Sequence, residues 1–209
     1  MLERMTPVVK NLLIINVLVF LAQQAITPRI TQQFMGHYPL GGGFEPWQVI
    51  SHMFMHGGIG HLFFNMFALV IFGSALERVW GSKRFLQFYL LCGIGAFLIF
   101  EATVGYKLYN YYGQISFDES YGLVIGASGA VYGLLLGFGM LFPNTELMLL
   151  FPPIPIKAKF FVILYGLLEL SMAMSNNQGD NVAHVAHLGG MVVGYILIKK
   201  WQNSRDVFY

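Results

Sequence analysis

Charge is scarce in this chain. Asp, Glu, Lys and Arg make up only 11% of its 209 residues, where soluble domains carry roughly 25%. That excludes an ordinary water-facing surface. With 56% hydrophobic residues, the composition is that of a protein whose solvent is lipid. The formal net charge of +2 leaves too little positive excess for a nucleic-acid partner, and no basic nucleic-acid motif is present. A single cysteine, Cys92, lies in an apolar run. It excludes an internal disulfide framework and reads as a small buried hydrophobe. Low-complexity segments and long repeats are also missing.

What the chain has instead is apolar segments. Six can be drawn, at about 8–25, 59–79, 85–106, 123–142, 158–174 and 182–201. Each is near the ~20 residues that cross a bilayer as a helix. The core of the first could pass for a signal peptide, but Ala22-Gln23-Gln24-Ala25 is a poor cleavage site, so it reads as a spanning helix. The expected fold is all-α: one membrane domain over 1–209, a bundle of six transmembrane helices. Between the first two helices, 28–58 holds Gly41-Gly42-Gly43, Pro39, Pro46, Trp47 and Met53-Phe54-Met55. It is too broken to span and too apolar for a solvent loop, so a partly membrane-embedded loop is expected, with Trp47 at headgroup depth.

Charge then sets the topology. With six spans, one face holds Arg4, Lys10, Arg78, Lys83, Arg84, Lys157, Lys159, Lys199, Lys200 and Arg205, and the other only Arg29 and Lys107. Both termini are therefore expected in the cytoplasm.

This topology starts the second, fourth and sixth helices from the outer face. His61 and Asn65, Ser128, and His187 all lie in the first turns of those helices, at a similar shallow depth. His61 and Asn65 are one helical turn apart and share a face, as do Ser128 and Tyr132. Gly129, Gly133 and Gly137 on the fourth helix, with Gly190 and Gly194 on the sixth, would let these helices approach closely. Such glycines are common in membrane helices and alone report only tight packing.

Polar residues at this depth are costly unless paired, and default to a functional reading. The chemistry this set can do is acyl transfer. Ser128 needs a base, and His187 can be one. The oxyanion needs donors, and His61, Asn65 and the Ser128 backbone N–H are of the right kind. A dyad without a carboxylate suffices chemically, with Tyr132 holding the imidazole by packing.

The pattern resembles the rhomboid family of intramembrane serine proteases. Gly126-Ala127-Ser128-Gly129 resembles the family's Gly-x-Ser-Gly nucleophile motif, which implies Ser128 as nucleophile with Gly126 and Gly129 in support. Ala186-His187-Leu188-Gly189-Gly190 resembles the motif around its general base, which implies His187. His61-Leu62-Phe63-Phe64-Asn65 resembles its His-x-x-x-Asn oxyanion motif. His52 and His56 stand in the matching upstream run, and Glu77-Arg78 with Gly81-Ser82 resembles the turn after the second helix. Where many members carry Trp-Arg in the first loop, this chain has Trp47-Gln48, which bears on the anchoring of that loop. The resemblance implies the basic six-helix form of bacterial type in the plasma membrane, needing no cofactor or metal. It also implies single-pass membrane proteins as substrates, cut near a small residue in or beside a transmembrane segment.

Two other readings stand beside it. A metal-dependent membrane hydrolase could draw ligands from His52, His56 and His61, or from His184 with His187. Few acidic residues accompany them, and Glu101 and Glu169 read as isolated packing or gating positions. A transporter or chaperone-like binder could use the same bundle without chemistry. For His52 and His56, hydrogen bonding that stabilises the loop is the preferred role. His184, one turn nearer the outer surface than His187, is expected to meet water or headgroups.

Overall fold

A computed structural model describes residues 5–113, 123–149, 153–175 and 183–203. Arg4, Val182 and Arg205, used above for topology and a helix boundary, lie outside them.

The described chain is mostly helical. Helix α1 spans Pro7–Ala25, with Pro7 at the first position, where its missing N–H costs nothing. Short helices α2 (Pro28–Gln32) and α3 (Gln48–Ser51) follow, then a 3₁₀ turn at His52–Phe54. Helix α4 (Ile59–Ala68) passes through a π-helical turn, Leu69–Gly73, into α5 (Ser74–Tyr112). Helices α6 (Ser128–Leu141), α7 (Ala158–Met174) and α8 (His184–Asn203) complete the bundle. Between α6 and α7, strands β1 (Glu146–Met148) and β2 (Pro155–Lys157) form an antiparallel pair with Leu147 opposite Ile156.

The expected second and third helices run together in α5, interrupted at Gly81, whose φ of 76° and ψ of 160° are not helical. A side chain is strained at that φ. The two arms fold against each other, because the Phe85 ring tip lies where a Cβ on Gly73 would meet it at 3.2 Å. Twelve residues of straight helix would hold those positions about 18 Å apart. Beside this turn, Glu77 closes the start of α1. Its two carboxylate oxygens accept the Val8 and Val9 backbone N–H groups, each at 3.0 Å, and Ser82 donates to it at 2.7 Å. A carboxylate suits the positive end of a helix, where the first N–H groups lack intrahelical partners.

Two boundaries differ from the sequence reading by five residues or more. The third helix runs to Tyr112 rather than 106. Helix α8 is described from His184, and its expected start at 182 lies outside the described residues. The fourth begins at Ser128, not 123, because Gly126 adopts φ 116° and breaks any helix there. Leu123, Val124 and Ile125 continue the apolar run, so hydrophobicity alone does not show that break.

Helix α6 is the centre of the bundle, with nine of its residues buried, among them Ala130, Leu134 and Phe138. Its glycines let α8 lie against it. A Cβ on Gly190 would collide with the Gly129 carbonyl, and one on Gly194 would reach the Gly133 Cα at 3.4 Å. Gly137 instead faces Leu76, Trp80 and Phe88. By length and composition, Pro7–Ala25 and Ile59–Tyr112 qualify as membrane spans among the described residues, the latter broken at Gly81.

Candidate active site

Ser128 is the first residue of α6, so its hydroxyl and N–H stand at an open helix end. The segment before it is fixed from both sides. Val124 pairs with Gly36 through two backbone hydrogen bonds, at 2.8 and 3.0 Å, and the Gly126 N–H donates to the His52 carbonyl at 2.9 Å. His187 projects from the first turn of α8, three residues before the glycine contact at Gly190. Close helix packing thus brings the two side chains together. His187 Nε2 lies 2.8 Å from Ser128 Oγ. Tyr132, one turn below Ser128, stacks on the imidazole with centroids 4.3 Å apart and planes 10° from parallel.

The structure corrects the sequence reading at Glu169. This residue of α7 is buried, and it belongs to the site rather than to packing or gating. One carboxylate oxygen, Oε2, accepts from His187 Nδ1 at 2.9 Å and from His184 Nδ1 at 2.6 Å. The other, Oε1, accepts the Tyr132 hydroxyl. The pair therefore has a carboxylate after all. His184 is buried on Glu169 rather than facing water or headgroups. The local spacing of 184 and 187 cannot reveal a partner on another helix. A signal was present all the same. Glu169 is the one carboxylate within α7, and a lone acid in an apolar helix is costly unless paired.

His61 stands beside the nucleophile. A Cβ on Gly126 would lie 2.6 Å from His61 Nε2 and 3.7 Å from Ser128 Oγ, so glycine is needed there for space as well as for φ. The Gly57 N–H donates to His61 Nδ1 at 3.4 Å. That bond leaves the ring proton on Nε2, the nitrogen against Gly126. Asn65 is buried on the same face, and its Nδ2 donates one hydrogen to the His61 carbonyl at 2.9 Å, keeping a second. Gly129 packs where a Cβ would lie 2.5 Å from that of Ala96.

The loop before α4 supports this arrangement. His52 Nδ1 donates to the Gln48 carbonyl at 2.7 Å, and its ring lies on Phe97. His56 exchanges two hydrogen bonds with the Gln23 side chain of α1, and its ring meets His61 edge-on. Burial pulls both imidazoles down to about 4, so they are neutral at physiological pH. Gln48 is fully buried and holds the loop without charge. Its amide donates to the Gln33 and Gly43 carbonyls and accepts the Glu45 N–H, all within 3.2 Å. Trp47 is half exposed and donates to the Gln33 carbonyl at 3.0 Å.

The ligand-type atoms of Glu169, His184 and His187 lie within 4.8 Å of one another, so among the described residues these three could hold a metal. His52, His56 and His61 form no such group among the described residues.

Comparison with known proteins bears on the family of the chain. The rhomboid domain model matches residues 43–201. The chain is similar to RHOMBOID-like protein 4 of Arabidopsis thaliana, 30% identical over 78% of this chain and 38% of the relative. It is similar to Rhomboid protease AarA of Providencia stuartii, 27% identical over 72% of this chain and 54% of the relative. With Rhomboid protease GlpG of Haemophilus influenzae it shares 30% identity over 86% of this chain and 83% of the relative. The chain thus spans about half or less of several curated relatives and most of one. The matched region contains all three polar motifs, on α4, α6 and α8, and the chain belongs to the rhomboid family.

Proposed function

We propose that this protein is an intramembrane serine endopeptidase that cleaves transmembrane segments of single-pass membrane proteins. Ser128 is the nucleophile, His187 the general base, and His61, Asn65 and the Ser128 N–H stabilise the oxyanion. The observation that carries this reading is the 2.8 Å approach of His187 Nε2 to Ser128 Oγ, under a stacked tyrosine. Such an imidazole can take the hydroxyl proton as Oγ attacks a carbonyl carbon, and return it to the leaving amine.

The protein is proposed to be a single membrane domain of six crossings. Helices α1, α6, α7 and α8 and the two arms of Ile59–Tyr112 make these crossings, with the loop before α4 partly embedded. The distribution of Lys and Arg supports cytoplasmic termini, and a plasma-membrane location is proposed with them. Exposed Phe160, Ile163 and Leu167 on α7 suit contact with acyl chains. The partners are then the lipid bilayer and the substrate helix, with no nucleic acid, cofactor or metal.

A second reading, metal-dependent hydrolysis, draws on the Glu169–His184–His187 group, a ligand set of the kind that holds catalytic zinc. One experiment separates the two. The purified protein is treated with a fluorophosphonate probe and with a generic transmembrane substrate, before and after exhaustive chelation. The serine reading expects labelling of wild type, none of Ser128→Ala or His187→Ala, and cleavage that survives chelation. Cleavage by Ser128→Ala, or cleavage lost on chelation and restored by zinc, defeats it.

A further inference from the structure

We infer that Glu169 is a positioning residue that extends the Ser128–His187 pair to a Ser–His–Glu chain, with His184 as the second imidazole that fixes the carboxylate. The inference rests on the serine-hydrolase reading of the same site and adds to it a third helix.

Glu169, His184 and His187 are each less than a tenth exposed. A buried carboxylate without partners would be costly to ionise. Glu169 has three donors from two neighbouring helices: Tyr132 of α6 on Oε1, and His184 and His187 of α8 on Oε2. Its hydrogen bonds therefore hold it as an anion in one orientation.

The consequence for His187 is its tautomer. An ionised carboxylate only accepts, so its bond to Nδ1 places the ring proton there. The lone pair is left on Nε2, towards the Ser128 hydroxyl. The opposite tautomer would aim an N–H at that hydroxyl and could not take its proton. In the reaction, the proton passes from Ser128 Oγ to His187 Nε2 while Oγ bonds to the substrate carbonyl carbon. The carbonyl electron pair moves onto its oxygen. Glu169 keeps its charge beside the imidazolium and takes no proton. His184 acts one step further out. Its ring stands at 90° to that of His187, and the two donors hold Oε2 from different directions.

The test uses the full chain in detergent, with cleavage of a transmembrane substrate and the rate of fluorophosphonate labelling, both per monodisperse molecule. Exchanging the triad acid for its amide in a serine protease lowers kcat by ~10⁴. Glu169→Gln is expected to lower kcat by ~10² or more with KM changed less than about threefold, since the acid acts in the transition state. Glu169→Asp, which keeps the charge on a shorter arm, should fall between wild type and Glu169→Gln. His184→Ala should cost about tenfold or less, since two donors remain to the carboxylate. Activity of Glu169→Gln within about threefold of wild type overturns the inference, as does a loss carried by KM with kcat unchanged. Should Glu169→Gln not fold, Glu169→Asp carries the test: lowered kcat at constant KM supports it and unchanged kcat overturns it. Cleavage by Ser128→Ala defeats the hydrolase reading itself. An inactive Ser128→Ala beside an intact Glu169→Gln defeats only the role of Glu169.

Discussion

Tyr132 lies flat on His187 while its hydroxyl reaches past the ring to Glu169. One side chain thus fixes the imidazole by its face and the carboxylate by its tip, and substitutions separate the two effects. Tyr132→Phe keeps the stack and should lose about tenfold or less in kcat, the worth of one hydrogen bond. Tyr132→Ala removes both, and a stacked aromatic pair adds about 0.5–1.5 kcal/mol to that loss. Tyr132→Ala should therefore be slower than Tyr132→Phe by up to about tenfold in fluorophosphonate labelling. Equal rates would show that the stack does not position the base.

The oxyanion donors should be unequal. Loss of one such donor typically costs ~10²–10³ in kcat. His61 carries its free N–H on the nitrogen beside Gly126, so His61→Ala should fall in that range. Asn65 spends one amide hydrogen on the His61 carbonyl, so Asn65→Ala should be the milder. Steady-state kinetics on a transmembrane substrate would read the ranking. Two substitutions without effect on kcat would reduce both residues to packing.

How much of this was legible in the sequence depends on where each partner lies. His61 with Asn65, and Ser128 with Tyr132, are one helical turn apart, and helix periodicity alone puts each pair on one face. Ser128 and His187 are far apart in sequence, and it was their shared depth after charge-based topology that joined them. Glu169 escaped because its partners lie 15, 18 and 37 residues away, distances at which spacing carries no information. The start of α6 escaped for a different reason. Hydrophobicity continues through 123–125, and only the positive φ of Gly126 ends the irregular segment.

Gly190 should be the least replaceable of the packing glycines. A methyl there would strike the Gly129 carbonyl, backbone that cannot rotate away. Gly190→Ala must part α8 from α6 next to both Ser128 and His187. It should lose labelling almost entirely and cost about 1–3 kcal/mol in stability, the usual penalty for overpacking. Gly166→Ala on α7 is the control, since its Cβ would meet only Met191, at an ordinary 3.4 Å. It should melt and label like wild type, and a Gly190→Ala protein that does the same would contradict the close α6–α8 contact.

The loop before α4 should loosen in mild acid. His52 and His56 are both almost fully buried, and burial lowers each from 6.5 to about 4. A detached or unfolded loop would return them to 6.5. Between those values the open form binds more protons than the packed form, so packing is fully stabilised above 6.5 and loses stability as pH falls towards 4. At about pH 5 each histidine would contribute about 2 kcal/mol of that loss. His52 carries the Gln48 and Gly126 contacts, so its protonation also loosens the segment that enters Ser128. Carboxylates titrate in the lower part of the same range, so the comparison is made between variants. Melting in detergent at about pH 7.5 and about pH 5 should show a clear drop for wild type and a smaller one for His56→Gln, whose amide has no such titration. An equal drop in both proteins would remove His56 from the acid response.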